Sequence, residues 1–411
     1  MAYLTDRIFF DRLRKIGFIS LCLFLPFSIT GMTWTFALLA MLWIWSIICN
    51  LDEGYWKRYF LIIPIIALII WYMAATIMSS CPNIAFRKFP RIFILWCIPL
   101  TVFSIKDYKT LSQGFLVLAG SAGVVGLYGL GQHFLGDLMP RPLAVPVKLF
   151  QETGTYYAMG LFDHHLTFGF CMMMIWPVIA AMLLMPTFIK QRVWLIAANL
   201  AVGLSLAFSY ARSAWIGLTG GLLIWAAMIG KKATGLILMI LVGLLIFSSV
   251  ISSSIRYRLS TIFSAPKNIE RIITWKTSLE MVKDHPIFGI GPGCYHLYAS
   301  DYRRDYNVRF TSSSHAHNTY IQVAVEAGIP ALLTLLILVG GLFYCGKSAR
   351  YAMKNENGNL VTGLIVSLTA FSIASLFQHS LGDSEVAFAM AVMAGCLVRL
   401  SRSLLKEENR N

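Results

Sequence analysis

The sequence predicts an all-α membrane protein that crosses the bilayer about twelve times. Three observations predict it. Of the 411 residues, 57% are hydrophobic, and the mean hydropathy is +0.69. Apolar runs long enough to span a bilayer core, about 18 residues or more, recur along the whole chain. Lys and Arg gather at alternate ends of those runs, the pattern that sets membrane orientation. A soluble domain of this composition would expose large apolar patches. The net charge of +15 would suit a soluble nucleic-acid binder, but the hydropathy does not; no nucleic-acid partner is expected.

The expected spans are 17–30, 32–49, 59–79, 92–105, 111–131, 166–186, 193–209, 213–229, 233–251, 317–344, 358–379 and 386–401. The first and fourth are short. Residues 1–15 are basic, but no small-residue cleavage site follows the first apolar run, so it reads as a helix and not a signal. With the N-terminus inside, 19 of the 34 basic residues fall on inside segments, and every short inside loop holds at least two. The opposite orientation would misplace six basic clusters. Both termini are therefore expected in the cytoplasm. The organisation expected is nine spans over 1–251 with an outer segment at 132–165, an outer loop region over 252–316, and three spans with a cytoplasmic tail over 317–411.

The outer loop 252–316 carries nine basic and five acidic residues. Positive charge held outside, against the topological preference, points to an anionic ligand or to lipid headgroups. Residues 270–284 fit an amphipathic helix, with Ile272, Trp275, Leu279 and Val282 at helical spacing. Asn268 is the expected N-cap, and His285-Pro286 ends the helix. FGIGPG, residues 288–293, forms a turn that either lets backbone approach a phosphate or only redirects the chain. Tyr295, His296, Tyr298, Tyr302, Tyr306 and Phe310 then alternate with Arg303, Arg304 and Arg309, a mixture suited to a sugar headgroup or to interface anchoring.

The loop ends in SSSHAHN, which runs directly into the next span. His317 is therefore expected in that helix's first turn, at the outer interface. Gln322 and Glu326 lie deeper. An intramembrane carboxylate is costly, so Glu326 either faces a cavity, pairs with an Arg, or sits near the interface. A second site has the same placement. SYARSAW, residues 209–215, joins two spans by so short a link that Arg212 is pinned near the membrane plane, as an anion clamp or a snorkelling side chain.

Other chemistries lack their signatures. The eight Cys lack a CxxC pair, and most fall in or at the ends of apolar spans, as small hydrophobes do. Only Cys81 and Cys294 lie clearly outside, and no disulfide is expected. There is no HExxH, P-loop or dinucleotide motif, which disfavours ATP-driven transport. His379, Asp383 and Glu385 come nearest to a metal set, but a solvated loop is the expected reading. Neither a metal nor a cofactor is expected.

Four segments together resemble the O-antigen ligase and polymerase superfamily of membrane glycosyltransferases, most closely the ligase type. They are GLFDHHLTFG (160–169), SYARSAWIGL (209–218), RIITW (271–275) with the downstream PIFGIGPG (286–293), and HAHNTYIQVAVEAGIP (315–330). The resemblance covers roughly residues 150–340. It implies a multi-helix GT-C fold in the bacterial inner membrane, with the site on the periplasmic face. It also implies transfer of a polysaccharide from an undecaprenyl-pyrophosphate carrier to a sugar of the lipid A core, without metal. The family's two essential arginines fall on Arg212 and Arg271, and its essential histidine on His317. His315, Asn318, His165 and Glu326 are supporting candidates. A repeat-unit polymerase, a protein O-oligosaccharyltransferase, and outside the family a glycolipid flippase are the alternatives. The last would need charges buried across several spans, where the sequence has almost none.

This agrees with the chemistry of the residues. The acceptor hydroxyl is a poor nucleophile and gains from a positioned base. Charge building on the pyrophosphate is stabilised by fixed arginines, whose fork binds phosphate oxygens bidentately.

Overall fold

A computed structural model describes residues 2–49, 60–140, 148–230, 252–261, 264–303, 314–353 and 357–408, with Gly235 and Met239. The expected ninth span, 233–251, falls almost wholly outside these residues, as do Arg304, Tyr306, Arg309 and Phe310 of the loop. In chain order the α-helices are α1 (Ala2–Phe24), α2 (Ile29–Ile48), α3 (Ile62–Ile77), α4 (Pro82–Lys88), α5 (Cys97–Ser104), α6 (Tyr108–Leu135), α7 (His165–Leu183), α8 (Arg192–Phe208), α9 (Arg212–Ile229), α10 (Ser253–Ser260), α11 (Ala265–Asp284), α12 (Tyr295–Tyr298), α13 (Thr319–Ala352), α14 (Asn357–Ala374) and α15 (Ser384–Glu408). The sheet among the described residues is one hairpin, β1 (Leu149–Phe150) antiparallel to β2 (Thr155–Tyr156).

Among the described residues, six helices are long and apolar enough to cross a membrane: Ile29–Ile48, Tyr108–Leu138, His165–Leu183, Pro186–Phe208, Thr319–Tyr351 and Ser384–Ser401. Ile62–Ile77 and Gly358–Ala374 are apolar but shorter. The protein is thus an all-α, polytopic membrane protein. The expected fourth span is not one helix: a 3₁₀ helix, Phe89–Trp96, precedes α5. Pro90 and Pro99 each remove an amide donor from this stretch.

The centre of the bundle is α7, whose residues 167–175 are buried without a break. Small residues let the helices around it close up. A Cβ on Gly363 of α14 would come within 2.7 Å of the Pro177 carbonyl of α7, and one on Gly221 of α9 within 2.9 Å of the Val366 carbonyl of α14. A Cβ on Gly126 of α6 would come within 3.0 Å of the Ala201 backbone in α8.

Helix α13 is broken at Gly328, whose φ of +81° is open to glycine but strained for other residues. Within an apolar layer the amides and carbonyls freed by such a break must find partners. The glycine turn after α11 supplies them. Ile290 N–H donates to the Val325 carbonyl at 2.8 Å, Gly291 N–H to Glu326 at 3.0 Å, and Ile329 N–H donates back to Pro286 at 2.8 Å. Trp71 Nε1 donates to the Ala327 carbonyl at 2.8 Å and stacks on Phe288. FGIGPG is therefore a docking strip for the broken helix; its amides at 290 and 291 are occupied by carbonyls. A disulfide joins Cys81, the N-cap of α4, to Cys294 beside this turn, contrary to the expectation from sequence. The two cysteines are 213 positions apart, so only the tertiary fold makes them neighbours.

A Cβ at position 328 would overlap the Ile287 carbonyl. Gly328→Ala is predicted to destabilise the protein by about 2–5 kcal/mol, through backbone strain and overlap. Gly340→Ala, in the same helix with open space around it, should leave stability the same or slightly higher. Thermal unfolding in detergent would show the contrast.

Candidate functional site

Three arginines from three helices lie close enough to feel one another's charge. Helix α8 ends at Phe208, Tyr210 turns the chain with a φ of +55°, and α9 opens on Arg212. That residue is half-buried, and its Nη1 donates to the Thr261 carbonyl at 2.8 Å and to the Thr261 hydroxyl at 3.2 Å. Arg258 of α10 donates from Nη2 to the Tyr157 hydroxyl at 2.8 Å and lies 4.2 Å over the Phe150 ring. Arg271 of α11 is held down to a pKa of about 10, by burial first and then by the charges of Arg212 and Arg258. Among the described residues, no carboxylate forms an ion pair with any of the three. Like charges gathered without a counter-ion are costly, and an anion is what would relieve them.

The histidines lie alongside. His317 is not in the first turn of α13, as expected, but one residue before the N-cap. Asn318 is the cap, its Oδ1 accepting the Tyr320 and Ile321 amides at 2.9 and 3.1 Å. With its side chain on the helix end, Asn318 does not orient the histidine. His317 has a φ of +50°, a conformation that costs a non-glycine residue about 1–3 kcal/mol and tends to persist at functional sites. Its Nδ1 is 3.0 Å from Gln378 Oε1. An amide oxygen only accepts, so in neutral His317 Nδ1 bears the proton and Nε2 is the nitrogen with the lone pair. His315 has the opposite arrangement. Its Nδ1 accepts the His317 amide at 3.1 Å, so the proton of its neutral form sits on Nε2. The two rings are 4.3 Å apart.

His315 is depressed to a pKa of about 4 by burial, then by His317, Arg271 and His164. His379 falls to about 3 by burial, then by His315, Arg91 and His317; its Nδ1 is buried with no hydrogen-bond partner among the described residues. His165 stacks on Tyr157 at 4.2 Å and its Nδ1 lies 2.7 Å from the Ser209 carbonyl, which joins the GLFDHHLTFG segment to the Arg212 turn. Glu326 resolves to the cavity-facing alternative. It lines a cavity beside His315 and His379, and its Oε1 accepts the Gly293 amide at 2.8 Å and Gln322 Nε2 at 2.9 Å. It serves the glycine turn and not the His317 ring. The 379–385 stretch is not the solvated loop expected: Asp383 accepts the Thr167 hydroxyl at 3.1 Å, and burial raises its carboxyl's pKa.

Arg212, Arg271, His317, His315 and His165 are thus brought together, while Asn318 and Glu326 act on backbone nearby. Sequence reading missed three members. Arg258 was one basic residue among nine in its loop, Gln378 lay in an expected span, and His379 was set aside with the loop after it. The amphipathic helix over 270–284 is present, but it starts at Ala265 with Ser264 as N-cap. Asn268, the cap expected, lies inside and bonds back to the Ser264 carbonyl at 3.0 Å.

These features define a polytopic membrane protein with three neighbouring arginines close to a group of histidines. Residues 197–336, about a third of the chain, match the O-antigen ligase family. The matched segment contains Arg212, Arg258, Arg271, His315, His317 and Glu326. Family members are glycosyltransferase-like ligases or polymerases. No curated protein matches the chain.

Because the folded state holds His315 and His379 below the ordinary value of 6.5, the unfolded chain binds protons first on acidification. Stability should be full at pH 6.5 and above and should fall as the pH drops towards 4 and 3. His379→Gln is expected to flatten that decline in the unfolding midpoint measured against pH.

Proposed function

We propose that the protein is a metal-independent O-antigen ligase-like glycosyltransferase of the bacterial inner membrane, with its site on the periplasmic face and both termini in the cytoplasm. It moves a polysaccharide from an undecaprenyl-pyrophosphate carrier to a sugar hydroxyl of the lipid A core. The observation that carries this reading is the arginine trio, with no carboxylate ion pair among the described residues, set beside a histidine whose Nδ1 is held by Gln378. Arg212, Arg271 and Arg258 hold the donor pyrophosphate. His317 Nε2 takes the proton from the acceptor hydroxyl as its oxygen bonds to the anomeric carbon, and the bond from that carbon to the pyrophosphate oxygen breaks. The carrier pyrophosphate leaves with the electron pair, its growing charge met by the arginines. Gln378 holds the His317 ring in the tautomer this step needs. The carrier bond itself supplies the driving force, in keeping with a chain that lacks a nucleotide-binding motif.

Purified protein, lipid-linked glycan and lipid A-core in excess EDTA should yield transferred product. His317→Ala should abolish transfer, by at least about a hundredfold, while donor binding is kept, and His315→Ala should retain most activity. A His317→Ala protein with near wild-type turnover would remove it from the base role. A repeat unit or a protein accepted in place of lipid A-core would point to a polymerase or a protein transferase.

Arg212→Lys and Arg271→Lys should each lower kcat/KM by about 10- to 150-fold, the worth of a lost charge-assisted bond of about 1.5–3 kcal/mol, because lysine lacks the bidentate fork. Wild-type rates for both variants would sink the clamp.

A further inference from the structure

A carboxylate within an apolar helix is costly unless its oxygens are used. Glu326 is such a residue, just before the break at Gly328 in α13. Lys88 and Arg91 line the same cavity and offset its charge. Its Oε1 accepts two hydrogen bonds, from the Gly293 amide at 2.8 Å and from Gln322 Nε2 at 2.9 Å. Gln322 lies one helical turn earlier and is buried, so both ends of its amide need partners. Nε2 faces the carboxylate, which leaves Oε1 to accept the Ala316 amide at 2.7 Å. The carboxylate therefore fixes which way round the Gln322 amide lies. A turned amide would set its oxygen against Glu326 and its NH₂ against the Ala316 N–H, two repulsions in place of two hydrogen bonds.

Ala316 immediately precedes His317, whose φ of +50° is strained backbone that persists only where its surroundings hold it. Three hydrogen bonds do so. Gln322 takes the Ala316 amide, His315 Nδ1 takes the His317 amide at 3.1 Å, and Gln378 meets the ring at Nδ1. The first of these leads back to the glycine turn, and there the linkage becomes covalent. Cys294 follows Gly293 and is bonded to Cys81 at the N-cap of α4. Ser79, beside Cys81, donates its hydroxyl to the Ile290 carbonyl at 3.0 Å. Gly293 itself has a φ of +75°, and a Cβ there would come within 2.5 Å of the Lys88 side chain. The turn has little room to shift.

We infer that Glu326 and Gln322 are positioning residues for His317, acting through the Ala316 amide, and that the Cys81–Cys294 disulfide is the fixed end against which they hold it. The inference rests on the transferase reading for the role of His317 as base, but not for the linkage. Glu326 thus supports the site from the far side of the helix break, and the polarity of its hydrogen bonds is what reaches the histidine backbone.

The test uses the full-length protein in nanodiscs and two readouts. One is deuterium exchange over residues 314–318, which needs no substrate. The other is transfer of lipid-linked glycan to lipid A-core, resolved into kcat and donor KM. Gln322→Met leaves the bond from Gly293 to Glu326 in place and removes only the link to Ala316. It should speed exchange in this segment by about fivefold or more and lower kcat by about tenfold or more, with donor KM unchanged. Glu326→Met should do the same, and Glu326→Gln, whose oxygen accepts the same two hydrogen bonds, should recover most of the loss. Cys81→Ser with Cys294→Ser should also speed exchange and lower kcat; wild-type protein reduced after purification repeats this arm if the double variant misfolds. Wild-type exchange and kcat in Gln322→Met overturn the inference, as does a Glu326→Gln protein no better than Glu326→Met. A rise in donor KM in step with the fall in kcat overturns it too, and so does wild-type behaviour of the protein without the disulfide. The expected pattern of exchange in a protein that transfers no glycan would sustain the hold on His317 while removing the proposed reaction.

Discussion

The architecture of the site depends on how the break in α13 is closed. A helix that stops and restarts inside an apolar layer leaves carbonyls and amides that cannot be given to water. Here they are given to the glycine turn, through Ile290, Gly291 and Ile329, and to the Trp71 indole. Close approach of one backbone to another is the reason for glycine at 289 and 328, where any Cβ would overlap a main-chain atom. That docking fixes α11, and Arg271 with it, against the N-terminal half of α13. Glu326 extends the same joint: it takes the Gly293 amide and Gln322, and Gln322 Oε1 in turn accepts the Ala316 amide at 2.7 Å. A chain of hydrogen bonds thus runs from the glycine turn to the HAHN segment.

From the other side, the end of α14 closes on the same segment. Thr319 donates its amide to the Ser375 carbonyl at 2.8 Å and its hydroxyl to the Gln378 carbonyl at 3.0 Å. Gln378 is therefore placed by the helix it faces, and its side chain holds His317. The strained backbone of His317 is kept because both neighbours over-determine it.

The electrostatics follow from this packing. Three arginines at close quarters raise one another's cost of charging, and burial first, then neighbouring charges, holds His315 and His379 below the ordinary histidine value. Arg212 is held in place by Thr261, and Arg258 by Tyr157 and the Phe150 ring, and charges fixed in this way act without reorganisation.

The sequence by itself determined that the chain is a bundle of apolar helices and where most of them begin and end, and it singled out Arg212, Arg271 and the HAHN segment as candidates for the chemistry. Hydropathy, turn residues and charge alternation are properties of neighbouring residues, so they can be read locally. The helix-starting Arg212 was legible because the link before it is too short to be anything else. Only the tertiary structure decided which polar groups converge. Gln378 reaches His317 across 61 positions, Arg258 reaches Tyr157 across 101, and Cys81 reaches Cys294 across 213. Contacts over such separations leave no periodic trace in a chain, because they are made by the packing of helices and not by the residues on either side.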